Sequence, residues 1–226
     1  LRQSAPCASG YVFTLKIISW VDFRSQPHII GVWISCECRG GWDLRDLTTG
    51  RLLLRNVRTE DMDDLYELVS DEQSCLDDGA YHAFTRKDDP AFVRSFFAIA
   101  QADEHYAAVI KGENKVIGLI HLTDSEDGRG KSVGYHINKA YRRRGFAKEA
   151  VLAVIEYCFE SGDAEYFFAE CYEYNTASRR TLEALGFELT GIYHNRVFHP
   201  QRGWIDSLCF CRTRSSPTQY PQLPDS

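Results

Sequence analysis

Between Val133 and Phe187 the spacing of apolar positions changes period three times. Val133, Tyr135 and Ile137 alternate with small or polar neighbours, which is the period of a strand. After a basic turn, Ala147, Ala150, Val151, Val154, Ile155 and Cys158 recur at helical spacing, and Gly162 stands where a left-handed stop residue belongs. Tyr166 to Tyr172 returns to a strand. A second helix, Thr176 to Leu185, is opened by Asn175 and closed by Gly186, with Phe187 able to fold back on its last turn. Two strands joined through a helix are expected to lie parallel.

The same reading extends outward from this stretch. Arg51 to Val57 reads as a strand, and Thr59-Glu60-Asp61 supplies a cap and an acidic first turn for a helix through Leu65, Leu68 and Val69. Asp88-Asp89-Pro90 opens another helix, whose stripe of Phe92, Phe96, Phe97 and Ile99 is expected to be core rather than a ligand box. Tyr106–Ile110, Val116–Thr123 and Ser132–Ile137 are strand-like runs separated by short turns, which implies an antiparallel meander. Phe187–Ile192 and Trp204–Cys211 read as closing strands. The chain therefore divides into an extension of unassigned role (1–47), one mixed α/β domain (48–212) and a polar, Pro-bearing tail (213–226) expected to be disordered. In the extension, Tyr11–Phe23 and Ile29–Cys36 are too short and interrupted for a membrane span, and no signal peptide is expected around Lys16.

Composition narrows the function. With 226 residues and 44% apolar content the chain can bury a sizeable core, and a formal charge of −6 argues against a nucleic-acid partner while suiting cationic acceptors such as amines. Cysteines at 7, 36, 38, 75, 158, 171, 209 and 211 fall largely within apolar runs. The Cys36-x-Cys38 and Cys209-x-Cys211 spacings put each pair on one strand face, which is not a zinc knuckle, so reduced thiols in a cytoplasmic protein are expected and no metal.

The candidate chemistry lies in the turn Arg142-Arg143-Arg144-Gly145-Phe146-Ala147-Lys148. A helix start carries unpaired N–H donors and partial positive charge, Gly145 lets a ligand approach, Ala147 keeps the next turn slim, and three arginines offer forks for phosphate oxygens. A diphosphate would sit well there; a solvated basic turn bent by a glycine is the alternative. Arg142, Gly145 and Ala147 fit the form Gln/Arg-x-x-Gly-x-Gly/Ala, flanked by VGYHINKAYRRRGFAKEA and YNTASRRTLEALGF. On these motifs the chain resembles the GNAT acetyltransferase superfamily, and Asn175-x-x-Ser178 with Leu182-Glu183-Ala184-Leu185-Gly186-Phe187 is most similar to the branch that acetylates N-termini of ribosomal proteins.

The resemblance implies a mixed, mostly antiparallel twisted sheet flanked by helices and opened between Ser132–Ile137 and Tyr166–Tyr172. It implies acetyl-CoA as donor, its diphosphate on Arg142 to Lys148, and its pantetheine along main-chain groups near Tyr135, His136 and Ile137, one of whose N–H groups polarises the thioester carbonyl. Asn175 is either a helix cap or a pantetheine contact, or both, and Ser178 either a solvent-facing first-turn serine or a hydroxyl near the thioester sulfur. Many family members carry a tyrosine four residues after Ser178 as general acid; here that residue is Leu182. Glu170, Glu173 and His136 are possible bases, with a packed strand residue the alternative for His136. Acceptor choice in the family is set largely by the first helices and by the loops around the late strands, here Ser70–Lys87 and Tyr193–Gly203, both read as loops. An amine acceptor is expected, either a peptide N-terminus or a small molecule, in a monomer or homodimer with no membrane partner. The rival reading is a catalytically silent acyl-CoA-binding module.

Overall fold

The computed structural model describes residues 44–77, 84–101, 105–199 and 201–214. Alternation organises its centre. In β1 (Leu47–Thr48) and β2 (Leu52–Asn56) the chain turns back on itself, burying Leu52 and Leu54 on one face and Arg55 on the other. The buried Arg55 guanidinium forks onto Asp61 at 2.7 and 2.8 Å, and Asp61 also accepts the Arg58 N–H at 2.8 Å. The expected cap at Thr59 is thus replaced by Arg58 in the extended cap position, with Asp61 reaching back from the third residue of a single 3-10 turn, Thr59–Asp61.

Helix α1 (Met62–Ser70) follows, then a short α2 (Glu72–Asp77) within the segment read as a loop, and α3 (Pro90–Gln101), whose Ala91 N–H is taken by the Asp89 carboxylate at 2.7 Å. Phe92 and Phe96 are buried against Leu65, Leu68, Ala107, Val109 and Val116. Phe97 departs from the expected stripe: it is exposed and packs edge-on against Phe96. The meander is present as β3 (His105–Ile110), β4 (Lys115–Asp124) and β5 (Gly130–Ile137), antiparallel throughout.

The crossover then runs through α4 (Phe146–Ser161) to β6 (Tyr166–Tyr172), which pairs parallel with β5. Helix α4 stops at Gly162 with φ 82°, as the left-handed stop requires. Its inward face includes Phe146 and Phe159, while Ala147 is only half-buried. Helix α5 (Thr176–Ala184) closes on Gly186 at φ 81°, and the Phe187 N–H returns to Leu182 O at 3.0 Å. β7 (Glu188–His199) and β8 (Gly203–Thr213) form a hairpin, longer than expected because pairing resumes at Val197↔Ile205 after an irregularity beyond Tyr193. The Tyr193–Gly203 segment, read as a loop, is therefore mostly strand. Its edge position leaves Ile192 and Phe198 exposed, which blurs the apolar alternation that marks a buried strand.

The sheet order is β1-β2-β3-β4-β5-β6-β8-β7, antiparallel except at β5–β6. One face packs under α4 and α5 around Ile120, Val133, Phe167, Leu208 and Phe210; the other packs under α1 and α3. Cys75, Cys158, Cys171, Cys209 and Cys211 are buried and form no disulfide among the described residues. The apolar runs expected between residues 11 and 36, Cys7, Cys36, Cys38 and the tail from residue 215 lie outside the described residues.

Candidate active site

β5 is committed to β4 along its whole length, from Asp124↔Lys131 to Gly118↔Ile137. β6 is likewise committed to β8, from Tyr166↔Thr213 to Tyr172↔Ser207. Toward each other they pair only at Gly130↔Tyr166, Lys131↔Phe167 and Ser132↔Phe168. Beyond that point the strands part, and Val133–Ile137 faces Ala169–Tyr172 across a wedge that opens at the carboxyl ends of both. Carboxyl ends where strand order reverses are where open α/β sheets bind ligands.

One lip of the wedge leads into the basic turn. Asn138 accepts the Ala140 N–H at 3.0 Å and starts a 3-10 turn, Lys139–Tyr141. Arg142 is turned inward, its Nε donating to Ile137 O at 2.8 Å, so it ties the turn to the end of β5. Arg143 (φ 61°) and Gly145 (φ 80°) are left-handed, and Gly145 caps α4. The first helical hydrogen bond is Glu149 N–H to Gly145 O at 3.0 Å, so the N–H groups of Phe146, Ala147 and Lys148 have no acceptor within the helix and project from its mouth. Arg143, Arg144 and Lys148 are exposed around it. The Phe146 ring is buried, so only its main chain faces the mouth.

The turn is held by a residue that the chain pattern does not single out. Arg51 stacks on the Phe146 ring at 4.2 Å, donates from Nη1 to Arg144 O at 2.9 Å and from Nε to Glu149 at 2.7 Å. Glu149 also accepts the Arg51 N–H at 2.8 Å and the Thr49 hydroxyl at 2.6 Å. Burial pushes the Glu149 carboxyl up, and these hydrogen bonds outweigh it, holding the group below its ordinary range. The one carboxylate in the first turn is thereby neutralised, which leaves the mouth electropositive.

The other lip is the start of α5. Asn175 accepts the Ser178 N–H at 3.0 Å, the geometry of a helix cap. The Tyr135 hydroxyl, carried by β5 across the top of the wedge, lies 3.1 Å from Ser178 Oγ and 3.3 Å from Ser178 O. On β6, burial pushes the Cys171 thiol up to about 11. Leu182, at 1% exposure, is sealed in the core beneath α5 and faces neither ligand nor solvent.

Of the candidate bases, Glu170 accepts the Ser207 hydroxyl at 2.8 Å, on the sheet face opposite Cys171. Glu173 donates its N–H to Asp206 O, and Asp206 pairs with His194 at 2.8 Å. His136 is half-buried on the face turned away from α4, and the buried Ile137 contributes main chain only. Of the two segments expected to select the acceptor, Ser70, Asp71 and Arg202 lie beside the lips of the wedge. Glu67, Ser70 and Asp71 line an open groove of about 430 Å³ with Asn138, Lys139 and Ala140, and Lys139 pairs with Asp71 at 2.9 Å. From the hairpin, Arg202 lies 4.4 Å over the ring of Tyr174, which stacks on Tyr172 just ahead of Asn175.

The model of the acetyltransferase (GNAT) domain matches residues 51–188, from Arg51, just ahead of β2, to the first residue of β7. The chain is a GNAT acetyltransferase. This acetyltransferase is 26% identical over 160 residues to the uncharacterized N-acetyltransferase YnaD of Bacillus subtilis, covering 70% of this chain and 91% of that one. Its fold is similar to that of the ribosomal-protein-S5-alanine acetyltransferase of Vibrio fischeri, with TM-score 0.63 and 17% identity over 75% of this chain and 96% of that one. It is similar in the same way to the microcin C7 self-immunity acetyltransferase MccE, solved with acetyl-CoA and AMP, with TM-score 0.63 and 16% identity over 73% and 93% of the two chains. No helix of this GNAT acetyltransferase, among the described residues, is long and apolar enough to cross a membrane.

Proposed function

We propose that this acetyltransferase moves an acetyl group from acetyl-CoA to a primary amine, foremost the α-amine of a peptide N-terminus, with a small-molecule amine as the second class. The observation that carries the reading is the helix mouth: outward N–H groups at Phe146 to Lys148, a left-handed Gly145 and a neutralised Glu149, all at the open end of the β5–β6 wedge. A diphosphate fits such a mouth by charge and by hydrogen bonding. The acetyl-CoA bound to MccE and the alanine acceptor in the name of the Vibrio fischeri enzyme, both proteins of this fold, support the donor and the acceptor class.

In this reading Arg143, Arg144, Gly145, Phe146, Ala147 and Lys148 hold the diphosphate, Arg142 positions the turn, and main chain at His136 and Ile137 lines the pantetheine with Asn175. Acetyl-CoA supplies the activated carbonyl; the amine nitrogen bonds to it, the carbon–sulfur bond breaks, and the electron pair leaves with sulfur toward Ser178. An α-amine with pKa of about 7.7–8.0 is partly neutral already and needs little help from a base. Glu170 and Glu173 are engaged with Ser207 and Asp206, which suits a mechanism in which the proton leaves to solvent.

Calorimetry with acetyl-CoA tests the cradle. Gly145→Asp is expected to abolish binding, since it puts both a strained φ and a carboxylate at the phosphates, while Gly145→Ala isolates the strain; wild-type affinity in Gly145→Asp would remove the cradle. A thiol-release assay across peptides with free N-termini, polyamines and amino acids then assigns the acceptor. Tight binding without turnover on that panel would favour the silent acyl-CoA-binding module.

A further inference from the structure

Tyr135 and Ser178 belong to opposite walls of the wedge, and their hydroxyls meet at its top. The phenol has two acceptors within reach, Ser178 O at 3.3 Å and Ser178 Oγ at 3.1 Å. These give two arrangements of the hydrogens. With the phenol hydrogen on the carbonyl, the serine hydrogen points back at the phenol. With the phenol hydrogen on Oγ, the serine hydrogen is turned away from the phenol and is available to another acceptor. Ser178 can therefore donate to a ligand atom in the wedge, and Tyr135 decides whether it does.

We propose that Tyr135 is a positioning residue that turns the Ser178 hydroxyl outward to catch the departing coenzyme A thiolate, in place of an acid on α5. The inference rests on acetyl-CoA as donor. Its second support is Leu182, the α5 residue where a tyrosine acid stands in many of the family, here buried in the core. As the carbon–nitrogen bond forms and the carbon–sulfur bond breaks, the electron pair stays on sulfur and the amine proton passes to solvent. The thiolate accepts the Ser178 hydrogen bond, and Ser178 Oγ accepts that of the Tyr135 phenol. No proton need be transferred within the site, because a thiol of pKa about 8.5 leaves as thiolate near neutral pH. A hydroxyl aimed in advance at developing charge is the same device as an oxyanion hole.

The test reads the sulfur directly. Free coenzyme A is bound to the protein and its thiol titrated by thiolate absorbance, with desulfo-coenzyme A as the blank that cancels protein tyrosines. In the wild type the bound thiol is expected to ionise about one pH unit or more below its free value, as a hydrogen bond to a charged group provides. Tyr135→Phe and Ser178→Ala each return it toward the free value, Ser178→Thr preserves the shift, and the double variant equals Ser178→Ala, since Tyr135 acts through Ser178. With a peptide bearing an N-terminal alanine, Tyr135→Phe is expected to lower kcat about tenfold or more with KM for acetyl-CoA within about threefold. Coenzyme A that binds with the same thiol ionisation in wild type and Tyr135→Phe overturns the proposal alone, as do additive effects in the double variant. Failure of coenzyme A to bind the wild type overturns the donor reading and this proposal together.

Discussion

The two sides of β5 are made of the same residues and do opposite things. Toward β4 the strand is paired to its last residue, and the contact is tight: a Cβ on Gly134 would lie 1.8 Å from the His121 ring. Toward β6 it pairs for its first residues and then lets go, and the Tyr135 phenol crosses the gap to Ser178. A strand with two satisfied neighbours has no hydrogen bonds to offer, and one with none would not hold its place. β5 suits the proposed cofactor site because only one of its edges is paired along its length.

The largest expected effect comes from breaking the closed side. Gly134→Val forces the His121 ring to move within a packed layer and is expected to cost about 3 kcal/mol in a urea titration, at the upper end of overpacking losses. A variant as stable as wild type would show that the β4 side has slack. Acid should act on the same side. Burial pushes His121 down to about 3, with neighbouring His105 adding to it, and burial pushes His105 down to about 4. Both are neutral when folded, whereas the unfolded imidazoles protonate below about pH 6.5, so the unfolded chain binds more protons. Stability is complete above that pH and falls as pH drops through 6.5 toward 4, by at least about 1.4 kcal/mol, the equivalent of one decade in proton affinity. Urea midpoints at pH 7 and pH 4.5 check this, and His121→Gln should flatten the difference.

On the open side the expected change is in binding rather than stability. Arg51→Ala frees the basic turn from Glu149 and Phe146, so acetyl-CoA affinity should fall about tenfold, a charge-assisted hydrogen-bond network's worth. Stability should change by less than about 1 kcal/mol, because this ion pair is half exposed. A large loss of stability with unchanged affinity would make Arg51 a brace for the fold instead. The smallest effect is expected beyond the wedge, at the outer hairpin. Trp204, 60% exposed on β8, can become serine with a change within about 0.5 kcal/mol by thermal melting.

Much of this was legible in the chain. The run from β5 to Phe187 reads correctly because its signals are local: alternation in Val133 to Ile137, helical spacing in α4, and a left-handed glycine after each helix. Elsewhere, local signals misled. Thr59 is an ordinary cap residue by type, yet Asp61 fills the role because it is already drawn inward by buried Arg55. The Tyr193–Gly203 segment has loop-like composition but is strand, since an edge hairpin needs no buried alternation. The arginines also look alike in sequence, and only the fold distinguishes Arg142, bonded to Ile137 O, from the exposed Arg143 and Arg144.

By itself, then, the sequence determined the order and type of the central elements, the glycine-bearing helix start and the Asn175 cap, because each depends on neighbours within a few residues. Tertiary structure alone decided where β5 releases β6, that Arg51 reaches Glu149 across the chain, and that the Tyr135 phenol meets Ser178. Those contacts join residues far apart in the chain, and their positions are fixed by sheet register and by the helix laid across it. No periodicity along the sequence carries that information.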